Sequence, residues 1–131
     1  MGAIVVAILV PLLTTDAGAS DEPARWQQAP ITSWRVEGTG NATVIVGDTV
    51  YVGGDFSTVR SPDGGTVVTR NNLAAFDLNT GALRPEFQAN TNGIVRTLVA
   101  SGSNLIVGGS FTSVRGVPRG RLAAVNLTTG A

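Results

Sequence analysis

Few residues of this chain could do chemistry, and the absences are as informative as the candidates. The 131 residues contain no histidine and no cysteine. That excludes thiolate nucleophiles, Ser-His-Asp triads, disulfide frameworks and ordinary zinc sites within this segment. Carboxylates remain. A pair of them could hydrolyse a glycosidic bond only by converging across a cleft, whereas Asp21-Glu22 stands beside Pro23 and Glu86 beside Pro85, with no spacing that brings them together. Asp63 sits in Ser-Pro-Asp-Gly-Gly and Asp55 follows Gly53-Gly54. Either could offer an oxygen to calcium, but calcium takes six to eight oxygens and the neighbouring residues do not supply them. No catalytic set, metal set or cofactor is assigned, and Asp55 and Asp63 stand as ligand-binding candidates together with the isolated Trp26.

The charges sharpen this reading. All nine basic residues are arginine and nine residues are acidic, so the formal net charge is zero. Such a balance carries no electrostatic footprint for nucleic acid or for an anionic membrane.

What must position these residues is an internal repeat. Val50–Val59, VYVGGDFSTV, returns as Leu105–Val114, LIVGGSFTSV, 55 residues later. Arg70–Gly81, RNNLAAFDLNTG, returns as Arg119–Gly130, RGRLAAVNLTTG, and Trp34 and Phe87 each precede a glycine (Gly40, Gly93) by six residues. Three matched landmarks in one order define a repeat, and periods of this length belong to propellers or solenoids. Repetition also sorts the side chains, since a type kept at both copies serves the repeat. Arg60 and Arg115, Arg70 and Arg119, and the turn cappers Asp77 and Asn126 are read in that way. Asp55, matched by Ser110, and Asp63, which has no counterpart, are the unrepeated ones.

Taken in order, the chain opens with an apolar run, Ala3–Leu13, too short for the roughly 20 residues of a membrane-spanning helix. Ala17-Gly18-Ala19 behind it has the small-x-small form of a secretory cleavage site, although no basic residue precedes the run. Residues 1–19 are therefore read as a signal peptide cut before Ser20, and 20–33 as an extended lead-in. Ile31–Val36 is expected as a short outer strand belonging to a different sheet from the strands after it. Thr43–Val46 and Thr49–Val52 should pair through a type II′ turn at Gly47-Asp48. Ile94–Ala100 and Leu105–Val107 should pair through a looser turn, Ser101–Asn104. The Gly-Gly pairs should end these strands at a close backbone approach, with Phe56 and Phe111 filling the space between sheets. Third strands are expected at Leu73–Asp77 and Leu122–Asn126, each closed by an Asx-Gly turn. A fourth is expected at Ala82–Phe87, on an edge because of Pro85. Six extra residues fall between the second and third strands of the first copy, around Ser61–Gly65, and read as a surface insertion.

The stretches VYVGGDFSTV…RNNLAAFDLNTGAL and LIVGGSFTSV…RGRLAAVNLTTGA resemble the repeats of secreted bacterial β-propellers of the delta-60 type, from about Trp34 to the end. AFDLNTGAL is similar, more distantly, to quinone-dependent dehydrogenase propellers, but Arg84–Phe87 stands where those repeats place a tryptophan. Kelch repeats share the Gly-Gly pair, but their later Tyr and Trp are absent here. The resemblance implies an all-β fragment of a propeller, about two four-stranded antiparallel blades. Residues 34–131 would form it, with blade 1 at about 41–90 and blade 2 at about 93–131, truncated before its fourth strand. It implies a non-catalytic module of a secreted or cell-surface protein, acting as scaffold or binding surface. The alternative it leaves open is part of an exported propeller enzyme, quinone-type oxidoreductase or carbohydrate-active, with catalytic residues outside this segment. The implied partners are the remaining blades of a longer chain and a carbohydrate or surface-protein ligand, with no nucleic acid and no membrane span.

Overall fold

A computed structural model describes residues 3–5 and 33–131, and these are all-β with antiparallel sheets. The proposed cleavage site, Trp26 and nearly all of the lead-in lie outside the described residues. Sheet 1 contains β1 (Ala3–Val5), β2 (Arg35–Val46), β3 (Thr49–Arg60) and β4 (Val67–Thr69) in that order, with β5 (Leu73–Asp77) also paired to β3. Sheet 2 has the order β10 (Leu122–Asn126), β7 (Asn104–Gly109), β6 (Val95–Ser101), and β8 (Ser113–Val114) pairs with β9 (Val117–Pro118). Ala3–Val5, from the apolar run, lies antiparallel to Arg35–Glu37 at the edge of sheet 1.

The hairpins follow their glycines. β2 turns into β3 through Gly47-Asp48, with Gly47 at φ 60°, and Val46 pairs with Thr49. Positive φ at the first central residue is what a type II′ turn demands, and glycine meets it without steric cost. In the second repeat Ser101 pairs with Asn104 across Gly102-Ser103, with Gly102 at φ 58°. The second turn is therefore as tight as the first, not looser, because the same glycine serves it.

The structure departs from three further expectations. β2 is one long strand: Arg35–Val36 pairs with Val59–Arg60 of β3, in the same sheet as Thr43–Val46, and is not an outer strand of another sheet. Gly38-Thr39-Gly40 does not break it, because two bulges absorb the misfit, between Glu37 and Gly38 and between Gly40 and Ala42. For the same reason β3 runs on through Gly53-Gly54 to Arg60. The region expected as a fourth strand, Ala82–Phe87, contains only an isolated bridge from Leu83 to Phe76. Pro85 has no N–H to continue a ladder, and the chain turns there to send Phe87 into the core.

Both halves of the repeat are built on one plan. The bulge at Asn41 recurs at Arg96. The β3–β4 and β8–β9 hairpins are equivalent, the first closed by a long loop through Ser61–Thr66 and the second by Arg115-Gly116, so the six-residue insertion is a hairpin loop. The Asx turns match bond for bond. Asp77 Oδ1 accepts from the N–H of Asn79 (2.8 Å) and Thr80 (2.9 Å), and Asn126 Oδ1 from Thr128 (2.8 Å) and Thr129 (3.0 Å). Gly81 and Gly130 close them at φ 75° and 81°.

That equivalence carries a prediction. The Thr80 N–H, with Asn79 behind it, holds the Asp77 carboxyl below the usual carboxylate value against the opposing effect of burial. A depressed folded-state value means stability that is present above the unfolded value and lost as pH falls through the folded one. Asp77→Asn keeps the accepting oxygen, as Asn126 does, and removes this source of acid sensitivity. Asp77→Ala leaves two turn N–H groups without their acceptor. Thermal melts at pH 7 and pH 3 should show Asp77→Ala less stable than Asp77→Asn at pH 7, and Asp77→Asn losing less on acidification than the parent. Equal melting of the two variants at pH 7 would refute the capping role.

The core lies in two layers. Along β3, Val50 and Val52 face one cluster with Val36, Phe56, Val59, Ala74 and Phe76, while Tyr51 faces the other. That second cluster joins Tyr51, Leu73 and Ala75 of sheet 1 to Val95, Leu105, Val107, Phe111 and Val125 of the second repeat. Sheet 1 is thus apolar on both faces there, which is why Val50–Val52 of β3 and Leu73–Phe76 of β5 are continuous apolar runs instead of alternating.

Candidate functional site

Where the two repeats meet, an open cleft of about 500 Å³ is lined by Glu37, Asp55, Phe56, Ser57, Asn71, Asn72, Thr91 and Asn92. Its walls come from β2, β3, the link between β4 and β5, and the segment between the repeats. Asn72 holds three of them together. It takes the left-handed conformation (φ 69°), its Oδ1 accepts from the Phe56 N–H at 3.1 Å and its Nδ2 donates to the Thr91 carbonyl at 3.2 Å. Asn92 fixes the far wall: its Oδ1 accepts from Thr112 (2.8 Å) and Ser113 (2.9 Å), and its Nδ2 donates to Thr112 Oγ1. These two amides are committed to the scaffold.

Glu37 is committed to Arg60, which reaches it with Nε and, at 3.3 Å, with Nη2, and the bond holds the Glu37 carboxyl below the usual range. Arg60 also donates to the Gly64 carbonyl at 2.9 Å, tying the inserted loop to the sheet. The pair is partly exposed, so it positions the loop more than it stabilises the fold. Asp55 is an exposed residue at the rim of the cleft. The cleft therefore offers carboxylate, amide and hydroxyl oxygens to a ligand, with the charge of Glu37 compensated by Arg60. Among the described residues no three acidic side chains are grouped to hold a metal ion.

The structure separates the two candidate aspartates. Asp63 is in the β3–β4 loop, where its Oδ1 accepts from Ser61 Oγ at 2.5 Å and from the Gly65 N–H at 2.9 Å. The Ser61 bond holds its carboxyl below the usual value. Asp63 closes its own loop. Asp55 alone of the two lines the cleft, beside residues that no motif singled out. One signal for them was available, since Asn92 stands 55 positions after Glu37, at the spacing of the repeat.

The paired arginines divide as well. Arg70 is 5 % exposed and donates to the carbonyls of Thr69 (2.8 Å) and Pro85 (3.2 Å), with its Nε unpartnered. Arg119 is exposed and donates to the Pro118 carbonyl at 2.8 Å. Arg115 does not repeat the ion pair of Arg60 but bridges the carbonyls of Gln88 and Thr129. Compared with family models, curated proteins and solved structures, the chain matches none.

Proposed function

We propose that this chain is a non-catalytic module of a secreted or cell-surface protein, a scaffold or binding surface built from repeats that stack as in a β-propeller. The observation that carries the reading is the joint between the repeats. It is a packed core that uses one face of each, not a flexible tether: Tyr51 Oη donates to the Leu127 carbonyl at 2.5 Å and Asn41 Nδ2 to the Val95 carbonyl at 3.0 Å across it. Rigid stacking of this kind holds a surface cleft such as that of Asp55 in fixed shape, which serves binding. Export rests on the apolar run and on Ala17-Gly18-Ala19.

The test is made on the protein recovered from the cells that produce it. It should be found in the medium or on the cell surface with Ser20 as its first residue by N-terminal sequencing, so that the mature chain keeps sheet 1 without its edge strand β1. Retention inside the cell with Met1 intact would refute export and, with it, the surface role.

A further inference from the structure

Asn92-Gly93 is the one Asn-Gly pair in the chain, and the fold has a use for both residues. A Cβ at Gly93 would meet the Ser110 carbonyl oxygen at 2.7 Å and Phe111 Cα at 2.8 Å, so no larger residue fits. Gly38, its counterpart in the first repeat, is pressed in the same way against the Asp55 carbonyl and Phe56. Asn92 itself caps the backbone at Thr112 and Ser113. Packing and capping together oblige the chain to keep a side-chain amide next to a residue with no side chain. In that pairing the following main-chain nitrogen reaches Cγ with least hindrance.

What surrounds the amide suits acyl transfer. The N–H groups of Thr112 and Ser113 both point at Asn92 Oδ1, at 2.8 and 2.9 Å. Two main-chain donors converging on one carbonyl oxygen form an oxyanion hole, which stabilises negative charge as it develops there. On the other side of the amide, Nδ2 lies 2.8 Å from Thr112 Oγ1, a hydroxyl that can supply the proton a leaving nitrogen needs. Among the described residues the Gly93 N–H donates to no carbonyl, so attack by its nitrogen breaks no hydrogen bond. Asn92 is exposed, and solvent reaches it.

We propose that Asn92 is a modification site at which the folded chain catalyses its own deamidation. The Gly93 nitrogen gives its proton to solvent and bonds to Asn92 Cγ, and the carbonyl electron pair moves onto Oδ1 between the two N–H groups. When that pair returns, the Cγ–Nδ2 bond breaks. Ammonia leaves with a proton from the Thr112 hydroxyl, which solvent replaces. Water then opens the succinimide. Addition at Cγ again places charge on Oδ1, breaks the bond to the Gly93 nitrogen, returns a proton to it and leaves an aspartate in place of Asn92. Addition at the main-chain carbonyl would instead leave isoaspartate, with a main chain one carbon longer where Gly93 has no room to shift. The fold therefore favours aspartate, which keeps both N–H bonds. The sum is amide plus water to carboxylate plus ammonia, and nothing is oxidised or reduced. The new charge stands on the wall of the cleft, at the position that Glu37 holds in the first repeat.

The test incubates the full chain at neutral pH, folded and in parallel unfolded in guanidinium chloride. Peptide mass mapping that separates asparagine, aspartate and isoaspartate follows position 92. The folded chain should convert faster by on the order of tenfold, a part of what oxyanion donors contribute, and should yield mainly aspartate. The unfolded chain should convert slowly to a mixture with isoaspartate. Thr112→Val keeps both N–H groups and removes the hydroxyl, so it should slow the folded chain and leave the unfolded rate unchanged. Asn92→Asp, which installs the product, should melt in urea at the parent's midpoint. A folded rate equal to or below the unfolded rate would overturn the proposal, because the hydrogen bonds would then only hold the amide still. Isoaspartate as the main product of the folded chain, or an Asn92→Asp midpoint well below the parent's, would overturn it as well.

Discussion

Gly54→Ala should cost about 3 kcal/mol or more, the upper end of what overpacking exacts, from a fold whose whole stability is on the order of 5–15 kcal/mol. The reason is what the new methyl would meet. It would land on the Thr39 carbonyl oxygen and within 2.8 Å of Gly40 Cα, both backbone atoms of the paired strand. A side chain can rotate away from an intruder, but a hydrogen-bonded strand cannot, so β2 and β3 must part beside the Asn41 bulge. Gly109→Ala should behave alike, since its methyl meets the Ile94 carbonyl and, at 3.0 Å, Val95 Cα. Gly120 supplies the control. Nothing lies within 4 Å of a Cβ there and its φ is not positive, so Gly120→Ala should stay within about 0.5 kcal/mol of the parent. Urea midpoints measure all three. A Gly54→Ala protein as stable as Gly120→Ala would show that the two strands are not held at this distance.

The glycine pair also shows how far the sequence could be read. Its recurrence announced a close approach, and that much is local chemistry: a residue type repeated where a side chain cannot fit. What could not be read was which neighbour comes close. Gly54 meets the strand beside it, whereas Gly53 meets the other repeat. The same division runs through the fold. Turns that depend on a single residue's φ or on one Asx side chain, at Gly47, Asp77 and Asn126, were legible, because their causes lie within four residues. The length of β2 was not, since Gly38-Thr39-Gly40 has turn composition and only pairing with β3 turns it into a bulged strand. At the expected fourth strand Leu83 follows a strand-like pattern, but Pro85 two residues on withdraws the donor that a ladder needs. Of the cleft, Asp55 stood out by being unrepeated. Asn71, Asn72 and Thr91 did not, because their place in it depends on the joint between the repeats.

That joint is the subject of the second large effect. Phe87 is 1 % exposed in the core shared by both repeats, and its ring meets Tyr51 edge-on, centroids 5.1 Å apart at 69°. Burying the Tyr51 phenol raises its pKa, so it stays a protonated donor to the Leu127 carbonyl across the physiological range. Phe87 therefore supports both the apolar contact and the hydrogen bond that link sheet 1 to the turn after β10. Phe87→Ala should cost about 3–5 kcal/mol, the usual range for emptying a buried phenylalanine site. Tyr51→Phe keeps the ring and removes only the bond, so it should cost about 1 kcal/mol. The two should be non-additive, since they share a contact. Their effect on cooperativity should differ as well. With the joint emptied, the two sheets are no longer obliged to melt together, so the unfolding curve of Phe87→Ala should broaden, with a lower m-value than the parent. Tyr51→Phe should shift the midpoint at unchanged m. If Phe87→Ala shifts the midpoint by no more than Tyr51→Phe and at the parent's m, the two repeats are not coupled through this ring, and the rigid joint on which the functional reading depends is lost.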